Sequence, residues 1–163
     1  MLQKYESLDV RELESICRQV GVRGHIAVMT QPYLDYIIKG TKRMESRFTA
    51  NRVSPFRQVT VKDVIFLKKS GGPITAGMTV SEVEYFGPLE EGDAGNIIKK
   101  NNEALKVQDS FHERKKNSKF GTLIHIQEVC TIKAIELRKT DRRSWIVLST
   151  SEDSRTCQTL LED

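Results

Sequence analysis

Gly71-Gly72-Pro73 restricts the fold of this chain more than any other stretch. Glycine reaches backbone conformations closed to other residues, and proline cannot continue a strand ladder, so the chain reverses here. On one side runs Val61 to Leu67, rich in β-branched and large apolar residues and interrupted early by Lys62-Asp63. On the other, Ile74 to Phe86 is long enough for an extended strand, with Gly77 as a candidate bulge. Two such runs across a tight turn predict a β-hairpin. A hairpin alone is marginal in water and needs further strands or a helix against its apolar face.

The rest of the chain supplies them. Ile26-Ala27-Val28-Met29 predicts a first buried strand. Gly121 to Val129, Thr131 to Leu137 and Trp145 to Leu148 predict three more, the last two joined by Lys139 to Arg143. Leu8, Leu13, Ile16, Cys17 and Val20 recur at helical spacing. Asp9 and Glu12 are set for a capping box, and Gly21 and Gly24 end the segment, so residues 8–20 predict an amphipathic helix. That helix either packs on its own body or offers its face to a protein partner. A second, shorter helix has Thr30 as its cap, Gln31 and Pro32 in its first turn, an apolar face of Tyr33, Leu34, Ile37 and Ile38, and Gly40 as its stop. Residues 49–58 are loop-like, basic and polar. From 89 to 119 the chain turns polar and helix-friendly, predicting one or two inserted helices with Lys115, Lys116 and Lys119 in a solvated end. Strands interrupted by helices in this way fit an α+β fold: a small closed or partly open β-barrel with flanking and inserted helices. The boundaries expected are 1–24 for the N-terminal helical extension, 25–148 for the barrel domain and 149–163 for a polar tail.

Just past Gly40 the chain reads Thr41-Lys42-Arg43-Met44-Glu45-Ser46-Arg47-Phe48. As a strand, Arg43 to Phe48 points Met44, Ser46 and Phe48 to one face and Arg43, Glu45 and Arg47 to the other. The expectation is a polar cleft lined by Lys42, Glu45 and Arg47, with Gln31 at the far end of the preceding helix. Lysine brings a flexible point charge, and arginine a planar fork that matches phosphate or a base edge. A glutamate among them can accept hydrogen bonds from a nucleobase amino group, or can form a structural ion pair with either cation. Lys68-Lys69-Ser70-Gly71 is a second candidate, because glycines let backbone amides approach a phosphate. It can equally be a plain hairpin turn, and it lacks the GxxxxGK[ST] pattern of a P-loop. Arg142 and Arg143 are candidates for phosphate contact. Trp145, the one tryptophan, either stacks a base or belongs to the core.

Gly40-x-Lys42-x-x-Glu45-x-Arg47, placed after a helix, resembles the signature of the ASCH domain in the PUA-like group of small β-barrels. Phe66 to Pro73 resembles the second strand and turn of that family, and Asp141 to Leu148 the closing strand of one bacterial branch. The resemblance covers roughly residues 25–148. It implies a PUA-like mixed barrel and a ligand among RNA or modified nucleotides. It also implies an alternative, because some ASCH proteins cut RNA or remove an acetyl group from a cytidine nucleoside. The amidohydrolases use a lysine and a threonine three residues later. Here the lysine is Lys42, the threonine position holds Glu45, and Thr41 stands on the wrong side. Lys42 and Glu45 would be the catalytic pair of any such enzyme.

Composition narrows the surroundings. The 163 residues suggest one domain. Charged residues make up 29% and hydrophobic ones 38%, too apolar for disorder. The net charge of +4 is compatible with nucleic acid but does not demand it. Cys17, Cys130 and Cys157 are scattered, with no C-x-x-C pair, so neither a zinc knuckle nor a disulfide framework is expected. His25, His112 and His125 are isolated in sequence, and no metal or other cofactor is expected. Charges throughout residues 1–20 argue against a signal peptide, and no apolar run approaches the ~20 residues of a membrane span. A soluble cytoplasmic protein without a membrane partner is the expectation.

Overall fold

The computed structural model describes residues 2–139 and 142–148. The polar tail expected over 149–163, and Asp141 of the closing motif, lie outside the described residues. Seven strands and five α-helices follow one another as β1 (Ser7–Asp9), α1 (Val10–Val20), β2 (Gly24–Met29), α2 (Tyr33–Ile38), β3 (Met44–Thr49), β4 (Val64–Lys69), β5 (Ile74–Phe86), α3 (Asp93–Lys100), α4 (Asn102–Leu105), α5 (Asp109–Lys115), β6 (Phe120–Arg138) and β7 (Trp145–Val147).

The hairpin forms as its turn dictates, with β4 antiparallel to β5. Gly77 sits in regular register opposite Phe66; the irregularities fall at Leu67/Lys68 and, against β6, between Ile74 and Ala76 and on either side of Val80. The two strands expected over 121–137 are a single 19-residue strand, β6. It serves three partners: β3 antiparallel near its start, β5 along most of its length, and β1 parallel at its end. Beyond β4, β2 adds in parallel and β7 antiparallel. The sheet order is β1-β6-β5-β4-β2-β7, with β3 also on β6.

The architecture is α+β, but the sheet is not closed into a barrel. Among the described residues no ladder joins β3 to β7 or β2. A side chain crosses that seam instead. The Arg47 guanidinium donates to the carbonyl oxygens of Val28 at 3.1 Å and Ser144 at 3.5 Å. With β7 only three residues long, the arginine fork reaches across the seam to the Val28 carbonyl and to the Ser144 carbonyl, which also accepts from the Val28 amide at 2.9 Å.

Strand alternation sorts the apolar residues into three cores. Ala27, Met29, Ile65, Leu67, Met78 and Ile124 face inward with Leu34 and Ile37 of α2. Ile26, Phe66, Ile135, Leu137 and Ile146 face outward and are covered by α1 through Leu13, Ile16 and Cys17. Burying each such side chain contributes about 1.5–3 kcal/mol, which ties α1 to its own sheet. The helix face that periodicity left open to a protein partner is therefore already covered. The capping box of α1 is present: the Glu12 amide donates to Asp9 Oδ1, and the Asp9 amide to Glu12 Oε2, both at 2.7 Å. Gly21 ends α1 at φ 73°, whereas Gly24 begins β2 and Leu8 lies in β1. The third core joins the insertion to β3 and β6 through Met44, Phe48, Ala94, Ile98, Leu105 and Leu123.

Candidate nucleotide-binding cleft

Gly40, at φ 81°, turns the chain out of α2. The amides of Thr41 and Lys42 both donate to the Tyr36 carbonyl at 3.0 Å, which drives Lys42 back under the helix end. Alternation along β3 then does what the sequence predicts: Met44 and Phe48 enter the insertion core, while Glu45 and Arg47 share the opposite face. Arg43 precedes the strand, is exposed, and pairs with Glu103.

The three charged residues form a chain of contacts. Lys42 is 2% exposed and Glu45 6%. Lys42 Nζ donates to the Leu105 carbonyl at 2.5 Å, lies 3.5 Å from Glu45 Oε2 and stands 5.6 Å from the centre of the Tyr33 ring. Glu45 Oε1 is 3.2 Å from Arg47 Nε. These ion contacts are not well-aligned hydrogen bonds, since Glu45 Oε2 and Arg47 Nε are buried with none of good geometry. Burial lowers the Lys42 pKa, Glu45 opposes that shift, and Arg47 adds to it. Both readings of the sequence are thus present in one group: a buried ion pair, and a carboxylate on the wall of a cleft.

The cleft itself has a volume of about 850 Å³ and runs between β3, the ends of β2 and β4, and the insertion. Lys42, Glu45 and Arg47 line it, together with Lys68, Ser70, Gly71 and Arg142 from the other two candidate stretches. Lys115, Arg114 and Lys139 line it too, and were missed. Lys115 was assigned to a solvated helix end; instead it is half-buried and donates to the Phe48 carbonyl at 3.2 Å. Burial, then Arg114 and Arg47, lower its pKa. The missed signal is the spacing of Val107, Phe111, Arg114 and Lys115, which puts an apolar and a basic pair on one side of α5 and the loop before it. Among the described residues the wall carries seven cations and one carboxylate, Glu45.

Four further candidates lie off that wall. Gln31 is exposed and off the cleft wall. It caps α2 by accepting from the Asp35 amide at 3.1 Å, the task expected of Thr30. Lys69 is exposed and does not line the cleft. Arg143 and Trp145 border an adjoining hollow. Trp145 offers no face to a base: it is 2% exposed, its indole N–H donates to His25 Nδ1 at 3.2 Å, and the Arg47 guanidinium lies 5.2 Å over its ring.

His25 is not isolated either. With Nδ1 accepting from Trp145, its Nε2–H donates to Asp63 Oδ2 at 2.8 Å. Asp63 also accepts from the Thr60 amide and hydroxyl, each at 2.9 Å. This buried network fixes the platform under Arg47. His125 meets Glu84 at 2.8 Å on the β5–β6 surface, away from the cleft. With Glu82 the three offer ligand atoms within 4.8 Å of one another, so the histidine that looked unpartnered in sequence belongs to a surface ion cluster. Among the described residues no helix is long and apolar enough to cross a membrane.

No protein-family model matches the sequence, and no curated protein matches it. Solved structures do. An ASCH protein from Zymomonas mobilis superposes with a TM-score of 0.60 at 11% identity, covering 84% of this chain and 94% of the other. Two single-site mutants of that protein give TM-scores of 0.61 and 0.60 at 9% identity, each covering 84% of this chain and 95% and 97% of theirs. At such identities the likeness is one of fold, and the fold is that of the ASCH domain.

Proposed function

We propose that this ASCH-fold chain binds RNA or a modified nucleotide in the cleft around Lys42, Glu45 and Arg47. One observation carries the reading: among the described residues, seven cations and a single buried carboxylate line a concave site of about 850 Å³. That volume falls within the ~300–1,000 Å³ common for small-molecule sites. Low-dielectric walls of one sign concentrate anions, and phosphate contacts supply affinity. The roles divide by burial. Lys42 and Arg47 are held by protein carbonyls and Glu45, so they orient the carboxylate. Exposed Arg114 and Arg142 are placed to meet phosphate. Glu45 supplies the acceptor that favours a base with an amino group, and Tyr33 supplies an aromatic wall.

The test is affinity for single-stranded RNA against salt. The expected result is a linear loss of affinity in log–log form, its slope shallower by about one for each phosphate contact removed by Arg114→Ala and Arg142→Ala. Absence of salt-sensitive binding at low ionic strength ends the reading.

A hydrolase acting on RNA or a modified nucleoside is the second reading, favoured by the lowered pKa of Lys42. Burial lowers the Lys42 pKa, the direction that a lysine serving as a base requires. Against it, Lys42 Nζ already donates to Leu105, and the position where the resemblance implies a threonine nucleophile holds Glu45. Turnover of RNA or acetylcytidine, abolished by Glu45→Gln with binding retained, would establish this second reading.

A further inference from the structure

Beside the cleft a second hollow, of about 560 Å³, opens between the loop that follows β3 and the segment entering β7. It shares Val53, Ser54 and Ser144 with the cleft, so the two adjoin along the surface. Among the described residues its walls carry the cations Arg52 and Arg143. The Arg52 guanidinium rests 5.2 Å over the Phe120 ring, which limits the rotamer freedom it must give up to hold a phosphate. Phe56, 9% exposed, backs the wall, and Val53 stands 50% exposed where the hollows meet. A free mononucleotide would fill at most the cleft and leave this second surface unused. A strand leaving the cleft would find what it needs there: cations for its phosphates and apolar surface for an unpaired base.

We infer that the two hollows together take a single-stranded polynucleotide, with one nucleotide in the cleft and the flanking ones laid across Val53 between Arg52 and Arg143. This rests on the nucleotide-binding reading and adds the class of ligand. Duplex is disfavoured because bases stacked in a helix offer no free face to Val53.

The experiment is a length series by calorimetry, using cytidine monophosphate and oligocytidylates of two, four and eight nucleotides. Affinity is expected to rise by roughly ten- to a hundredfold from mononucleotide to tetranucleotide and then level, as flanking phosphates reach Arg52 and Arg143; tenfold corresponds to about 1.4 kcal/mol. Arg52→Ala with Arg143→Ala should flatten that rise. Both side chains are exposed, and a thermal melt confirms that the double variant is folded. Equal affinity for mononucleotide and tetranucleotide overturns the inference and leaves the nucleotide site standing. So does a length series unchanged in the double variant, or a duplex of the same length bound as tightly as the strand. No binding at any length at low salt ends both readings.

Discussion

Replacing Lys42 by methionine tests whether the charged group past Gly40 holds the cleft together. Methionine keeps most of the apolar stem and removes the ammonium. Two things are lost: the 2.5 Å bond to the Leu105 carbonyl, which pins the insertion to β3, and the charge 3.5 Å from Glu45 Oε2. Deleting one member of a buried ion pair costs about 3–5 kcal/mol, because the remaining charge is stranded. Here Arg47 Nε still lies 3.2 Å from the carboxylate, which holds the loss near the lower end, about 3 kcal/mol. A domain of this size loses about 2–4 °C of melting temperature per kcal/mol, so a fall of roughly 6–12 °C is expected by calorimetry. Adding Glu45→Gln should recover part of it, since the stranded charge goes too. A Lys42→Met melting point within about 2 °C of the parent would refute the account, and so would a double variant whose losses simply add. The pH dependence has a definite sign. Burial lowers the folded-state pKa of Lys42 below its ordinary value of 10.5, so the unfolded chain holds more protons between the two values. Stability contributed by Lys42 therefore rises with pH across that window. The gap between parent and Lys42→Met should widen as pH climbs towards 10.5.

Three other outcomes follow from the packing. A Cβ at Gly121 would lie 2.3 Å from Phe48 Cε1, so Gly121→Ala should cost about 1–3 kcal/mol in urea denaturation, with Phe48→Leu restoring part of it. Trp145→Phe keeps a ring under Arg47 but strips the N–H donated to His25; a loss of about 1–2 kcal/mol is expected by circular dichroism melts. Lys115→Ala should weaken RNA binding and shallow its salt slope by about one, whereas Lys69→Ala, off the cleft wall, should leave the slope unchanged.

Much of the fold was legible because its signals are short-range. Asp9 with Glu12, Gly40 after an apolar helix face, and Gly71-Gly72-Pro73 between β-rich runs each act within a few residues, and each forms as expected. The alternation of Met44 and Phe48 against Glu45 and Arg47 is as local as the pleat itself. Misreadings came where local signals are silent. Nothing between Cys130 and Thr131 says whether β6 breaks; continuous pairing with β5, and β1 beyond it, keeps it whole. Nothing near Lys115 says that its ammonium reaches the Phe48 carbonyl, because that contact depends on how the insertion docks.

By itself, then, the sequence determined the α+β class, the hairpin, the capping box of α1, the glycine stop of α2 and the charged face of β3. All of these follow from turn chemistry and from periods of 3.6 and 2 residues. Only the tertiary structure decided that the barrel stays open with Arg47 across its seam. It also decided that Trp145 is core rather than a platform for bases, and that, among the described residues, cations from four separate segments line one cleft with Glu45. The physical reason is distance along the chain: Lys42 and Leu105 meet across 63 residues, and Arg47 and Ser144 across 97. Sheet register and burial place such pairs, and no local pattern encodes them.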